Sequence, residues 1–129
     1  PLSALELHQR GVDAANSRRF AQARRALTTA SARTDDSDLR ARIDGTMAYV
    51  LAQTGQPAEA ERLSREALSP GLSDETIALA NGQLGTLLAH GGRLDEADLL
   101  LTKAIDGLDE GSIESANCLM SRSLSLIHI

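Results

Sequence analysis

Residues 91–105 read GGRLDEADLLLTKAI, and two earlier stretches follow the same pattern. The stretches SRRFAQARRALTTAS (17–31) and TGQPAEAERLSREAL (54–68) align with it without a gap. Two columns of this alignment contain alanine throughout: Ala23, Ala60 and Ala97 in the first, and Ala30, Ala67 and Ala104 in the second. Each step along a column is 37 residues. A fixed period of that size indicates a stacked helical repeat.

The composition favours closely packed helices over a sheet. Aromatic residues make up 2% of the 129 residues and Trp is absent, so a core must be built from Leu and Ala. Small side chains let helix backbones approach each other closely. The chain shows no sustained alternation of apolar and polar residues of the kind that predicts strands.

The charge is distributed unevenly along the chain. The net charge is -5, but residues 1–42 hold eight Arg against five acids, a balance of +3. Residues 43–129 hold five basic residues against thirteen acids, a balance of -8. Adjacent copies or partner domains could meet through these ends. Charged residues on helices more commonly just face water.

Turn and cap signals divide the chain into helical pairs. We predict helices over about 4–16 and 20–33, over 38–53 and 57–68, and from the cap Ser73 to His90 and over 94–107, with a seventh starting near Ser112. Ser3 followed by Glu6 is a capping box. Ser37 or Asp36 caps the third helix, and Gly55 ends it. The prediction is one repeat domain over 1–129, with repeats at about 4–36, 38–70 and 74–110 and a partial one at 112–124.

These residues resemble the tetratricopeptide repeat (TPR) family. Its pattern has small residues where the two helices of a unit cross, hydrophobic residues in the second helix, and often Gly in the turn. The residues at these positions are Gly11, Arg18, Phe20, Ala23, Leu27 and Ala30, then Ala48, Gly55, Pro57, Ala60, Ser64 and Ala67, then Gly85, Gly92, Leu94, Ala97, Leu101 and Ala104. Arg18, Pro57 and Ser64 depart from the pattern. Leu7, Asp44 and Asn81 stand where the family usually has an aromatic residue.

The resemblance implies an all-α, right-handed α-solenoid of about three and a half antiparallel helix pairs. The first helix of each pair would line a concave groove. Its residues would be Leu5, His8, Val12, Ala15 and Asn16, then Arg42, Gly45, Tyr49, Ala52 and Gln53, then Leu79, Gly82, Thr86, Ala89 and His90. As the partner-binding set we predict His8, Val12, Asn16, Arg42, Tyr49, Gln53, Thr86 and His90. The groove would hold a peptide or a protein partner, or be covered by another domain of the parent chain.

The Lys and Asn residues by which some family members clamp a C-terminal carboxylate are absent, so binding of chaperone tails in that way is not expected. More weakly, the chain is similar to the helical arrays of bacterial proteins that end in a CHAT domain, a caspase-like protease fold. That resemblance implies a fragment of a larger bacterial protein, with the catalytic residues elsewhere. The alternatives are an interaction scaffold, the regulatory array of such a protease, or the array of a transcriptional regulator. Residues 125–129 (SLIHI) are expected to be a non-native tail.

No constellation for catalysis, cofactor or metal binding is predicted. His8, His90 and His128 lack the spacing of metal ligands and are expected at the surface. Cys118 has no evident base and is expected in the core. Acidic doublets such as Asp95-Glu96 lie at helix starts, where the helix dipole favours them.

Nucleic acid and membrane partners are not expected. The arginines at 18, 19, 24 and 25 form one basic cluster, but no aromatic residues alternate with them and the whole chain is acidic. No apolar run approaches the ~20 residues that cross a bilayer. With one cysteine and no signal-peptide pattern, we expect a cytoplasmic protein.

Overall fold

A computed structural model describes residues 1–107, which form six α-helices and no strand. The helices are α1 (Ala4–Asn16), α2 (Phe20–Ala32), α3 (Ser37–Gln53), α4 (Pro57–Ala67), α5 (Asp74–His90) and α6 (Leu94–Gly107). Every boundary lies within one residue of its prediction, so the all-α, paired-helix fold is confirmed. The predicted helix from Ser112, the core position of Cys118 and the tail at 125–129 lie outside the described residues.

The chain divides into two compact units, Pro1–Ala67 and Leu68–Ile129. In the first unit α1 pairs with α2, α3 packs against both, and α4 pairs with α3. In the second unit α5 pairs with α6. The single repeat domain over 1–129 stays a prediction.

Side-chain caps fix where the first helices of the pairs begin. At α1 the Glu6 amide donates to Ser3 Oγ, and the Ser3 amide donates to Glu6 Oε1, both at 3.2 Å. The predicted capping box is therefore present. Asp36, not Ser37, caps α3, because its carboxylate accepts from two amides of the first turn. Ser73 caps α5 by accepting from the Thr76 amide.

The helices of the first and third hairpins cross at a glycine. A Cβ added to Gly11 would lie 2.7 Å from Leu27 Cγ, and one added to Gly85 would lie 2.8 Å from Leu101 Cγ. Both distances are shorter than van der Waals contact, so the glycines let a fully buried leucine occupy the crossing. The alanines of the first alignment column, Ala23, Ala60 and Ala97, are also fully buried.

The middle hairpin has a different pair of side chains at the same crossing. Ala48 stands where the other hairpins have glycine, and Ser64 stands where they have leucine. Both residues are buried. The larger residue on α3 is thus matched by a smaller one on α4, which explains why Ser64 departs from the family pattern.

We expect Gly11→Ala to lower the free energy of unfolding by about 1–3 kcal/mol, because the new methyl group overlaps Leu27. In a Leu27→Ser background the same change should cost little, since Ala with Ser reproduces the middle hairpin. A double-mutant cycle by urea denaturation, followed by circular dichroism, measures the coupling. An equal loss in both backgrounds would contradict this account of the crossing.

The turn inside each hairpin needs one residue with positive φ. Gly55 (φ 84) and Gly92 (φ 82) supply it in the second and third hairpins. Arg18 adopts φ 62 at the equivalent place in the first hairpin. This conformation costs a residue with a Cβ roughly 1 kcal/mol relative to glycine. The Arg18 guanidinium lies 5.3 Å from the centre of the Phe20 ring, a cation–π contact that offsets part of the cost.

The outer face of α1 is polar where the same face of α3 is apolar. On α3, Ile43 and Val50 are buried in the core that includes α1 and α2. The residues 37 positions earlier are Glu6 and Asp13, which are exposed. The Gln9 side-chain amide donates to Asp13 Oδ1 at 3.0 Å, which adds to the polar character of this surface. The face of α1 that corresponds to the buried face of α3 is therefore polar and exposed.

Asp44 is a half-buried carboxyl at the position where the first hairpin has the buried Leu7. Burial raises the pKa of Asp44; the Arg40 guanidinium opposes this shift and the Glu66 carboxylate adds to it. The ionised carboxylate is therefore less well solvated in the fold than in the unfolded chain. At neutral pH the ionised Asp44 therefore contributes unfavourably to the stability of the fold.

Candidate functional site

Six of the eight predicted partner-binding residues lie in the first unit, on one stripe formed by α1 and α3. Residues three or four apart on a helix share a face, which groups them into two rows. We call this surface the A-helix stripe, and it consists of Leu5, His8, Val12 and Asn16 on α1 with Arg42, Thr46, Tyr49 and Gln53 on α3. The sequence predicted all of these residues except Thr46.

A hydrogen bond between His8 and Thr46 joins the two rows. His8 Nε2 lies 3.0 Å from Thr46 Oγ1, and the Thr46 hydroxyl donates to the Arg42 carbonyl oxygen at 3.2 Å. Because a hydroxyl carries a single hydrogen, Thr46 Oγ1 accepts from an Nε2–H of His8. The neutral ring then has its proton on Nε2. His8 thus helps to fix α1 against α3.

The environment of His8 favours the uncharged imidazole. Burial lowers the pKa of His8, and the positive charge of Arg42 lowers it further. His8 is half-buried, whereas the sequence predicted a surface histidine. The difference arises because its ring reaches across to α3 instead of into solvent.

Two large apolar side chains project from the A-helix stripe. Leu5 is 66% exposed and Tyr49 is 44% exposed. Within residues 1–107, Leu99 on α6, at 58%, is the one other large hydrophobic residue with this degree of exposure. The exposed parts of Leu5 and Tyr49 are available to a partner.

The remaining residues of the stripe are partly buried or polar. Val12 and Arg42 are half-buried, while Asn16 and Gln53 are exposed. Ala15 and Gly45, which were expected to line the groove, are buried against the fold. The stripe is therefore a shallow surface with apolar side chains at Leu5 and Tyr49 and a cation at Arg42.

Thr86 and His90, the other two predicted residues, lie on α5 in the second unit. Thr86 is half-buried and its hydroxyl donates to the Gly82 carbonyl at 2.9 Å. His90 is exposed in the last turn of the helix. Leu79 is half-buried and Gly82 is buried.

Thr46 was missed because no periodic signal marks it. The residues 37 positions away are Gln9 and Gln83, so a hydroxyl does not recur at this position of the repeat. A hydroxyl one turn after Arg42 bonds its own helix, a common local arrangement. The bond to His8 depends on the distance between α1 and α3, which one repeat considered alone does not specify.

Comparison with known proteins gives one family match. The sequence model described as "Tetratrico peptide repeat" matches residues 9–64 and 45–127, which is most of the chain. The chain belongs to the tetratricopeptide repeat family. Such repeats generally mediate protein–protein interactions. Comparison with curated proteins and with solved structures gives no match.

The search for other kinds of site in this TPR chain covers residues 1–107. Within them, no three His, Cys, Asp or Glu side chains gather where they could hold a metal ion. None of the helices in that part of the chain combines the length and the apolar character needed to cross a membrane.

We expect the TPR fold to lose stability on acidification through His8. The unfolded imidazole, with a pKa near 6.5, takes up a proton more readily than the folded one, whose pKa is lowered. The free energy of unfolding should therefore fall as the pH decreases through about 6.5 towards the lower, folded pKa. Urea denaturation at about pH 7.5 and about pH 5.5 measures this change.

The control is His8→Gln, which does not titrate. Its loss of stability over the same pH interval should be smaller than that of the wild type. Parallel losses in the two proteins would show that His8 is not the group responsible.

Proposed function

We propose that this TPR chain is a non-catalytic interaction scaffold and that the A-helix stripe binds a peptide or a protein partner. The binding residues of this stripe are His8, Val12, Asn16, Arg42, Tyr49 and Gln53. In the second unit, taken by itself, we propose Thr86 and His90 on α5 as binding residues. The family supports the general role in protein binding. The particular surface and residues are our proposal.

The observation that carries the proposal is the exposure of Leu5 and Tyr49. Burying apolar area gains roughly 25 cal/mol per Å², so a partner that covers both side chains would gain binding free energy. Tyrosine is enriched where partners bind, because it buries a large ring while its hydroxyl stays hydrated.

The polar groups beside the two apolar side chains suggest what the ligand contains. Arg42 supplies a positive charge, and His8 is uncharged at neutral pH because burial lowers its pKa. Asn16 and Gln53 are exposed amides that can both donate and accept hydrogen bonds. A peptide with an apolar residue next to a carboxylate would match Tyr49 and Arg42.

The partner on this stripe is either a separate polypeptide or another domain of a larger, bacterial parent protein. A regulatory array attached to a caspase-like protease or to a DNA-binding regulator is compatible with the same surface. In each case the array holds a polypeptide, and any chemistry lies outside residues 1–107.

We expect Tyr49→Ala to weaken peptide binding by about tenfold, which corresponds to the loss of one binding anchor. The probe is a peptide enriched from a displayed library of random dodecapeptides on the wild-type chain. Fluorescence anisotropy with that peptide gives the dissociation constants.

Leu99→Ala is the matched control, because it removes a similarly exposed apolar side chain from α6. Its affinity for the peptide should equal that of the wild type. Tyr49→Ala should leave the helix content measured by circular dichroism unchanged. An unaltered affinity of Tyr49→Ala would rule out the A-helix stripe as the site.

A further inference from the structure

A basic surface lies on α2, a helix that contributes no residue to the A-helix stripe, and we call it the α2 basic face. It consists of Arg18 and Arg19 at the start of the helix, Arg24 and Arg25 on its outer side, and Thr28 one turn further on. All five side chains are exposed. Arg24, Arg25, Thr28 and Thr29 line an open depression on the surface.

The arginines of this face differ from those on the other second helices in having no acidic partner. On α4, Arg62 pairs with Glu59 and Glu66, and Arg65 pairs with Glu61. At the start of α6, Arg93 pairs with Glu96.

By contrast, α2 contains no acidic residue, and the four arginines of the α2 basic face form no ion pair within residues 1–107. A cluster of like charges without counter-charges repels itself, and this repulsion is relieved when an anionic partner binds.

Arg18 adds a cation to this cluster at an energetic cost to the backbone. The second and third hairpins have Gly55 and Gly92 at this place in the turn, as the positive φ favours. In the first hairpin the guanidinium of Arg18 is instead held over the ring of Phe20 at the beginning of α2. The position therefore extends the basic surface where glycine would give a better turn.

We propose that the α2 basic face is a docking surface for an acidic segment of a partner polypeptide. From Arg18 to Thr28 the face extends about 15 Å along the helix, the length of roughly five extended residues. Each guanidinium can donate two parallel hydrogen bonds to a carboxylate, which makes Arg well suited to binding Asp and Glu. The exposed Thr28 hydroxyl adds a donor at the far end.

The surroundings favour an acidic peptide over a nucleic acid. Phe20 is the aromatic residue nearest the face, and it is half-buried with Arg18 above its ring, so it offers no open surface for stacking a base. The chain has a net charge of -5, which repels a long polyanion but affects a short segment less.

The test measures binding of a fluorescein-labelled peptide, GEEDEEG, by fluorescence anisotropy at about 50 mM salt. We expect the wild type to bind it and to release it as the salt concentration rises. Arg24→Gln/Arg25→Gln should weaken binding about tenfold or more. Arg24→Lys/Arg25→Lys, which keeps the charge but removes the planar donor groups, should give a smaller loss.

The matched control is Arg62→Gln/Arg65→Gln on α4, which removes the same number of charges from paired arginines. It should bind GEEDEEG as the wild type does. Circular dichroism confirms that each variant keeps its helix content. The uncharged peptide GQQNQQG should not bind.

Four binding results would each overturn the proposal. They are equal binding of GQQNQQG, an equal loss in the α4 control, no loss in the α2 variant, and tighter binding of a single-stranded oligonucleotide of about seven nucleotides. Self-association at low salt that the α2 variant abolishes would identify a second copy of this chain as the occupant instead, and would also overturn it. Each outcome is independent of the A-helix stripe, because Tyr49→Ala should bind GEEDEEG normally.

Discussion

The close crossing of two helices within each hairpin is the contact on which the rest of this structure depends. At this crossing Gly11 faces Leu27 and Gly85 faces Leu101, with no room for an added methyl group. A leucine that fits into a glycine notch fixes both the separation of the helices and their rotation about their axes. The rotation decides which side chains of each helix turn away from the core, and on α1 it leaves Leu5 on the surface.

Most of this fold follows from the sequence because its signals are local and repeated. The caps at Ser3 and Ser73, the glycine at 55 and the alanine columns each act within one hairpin, and three copies reinforce one another. The choice of Asp36 rather than Ser37 as a cap was open, because both side chains can accept from the first amides of a helix. The structure resolves this choice, since the Asp36 carboxylate accepts two such bonds.

The candidate site was less predictable, because it depends on distances between helices. Periodicity identified the outward positions of α1 and α3, but it does not indicate that His8 reaches Thr46 and becomes half-buried. Nor does it show that four arginines on and beside α2 lack counter-charges while those of α4 are paired, since pairing depends on side-chain positions. Sequence patterns predict which side chains of a helix point outward. The burial and the hydrogen-bond or ion-pair partners of those side chains depend on contacts between helices.

The two kinds of crossing also mean that the hairpins are not interchangeable parts. A chimera joining α3 to α2 would set the Ala48 methyl group against Leu27, whereas one joining α1 to α4 would leave a void between Gly11 and Ser64. Exchanging helices between the first and third hairpins preserves the glycine–leucine match. Gene recombination that exchanges a helix between the first and third hairpins should therefore keep the fold stable. Recombination that exchanges a helix between neighbouring hairpins should destabilise it.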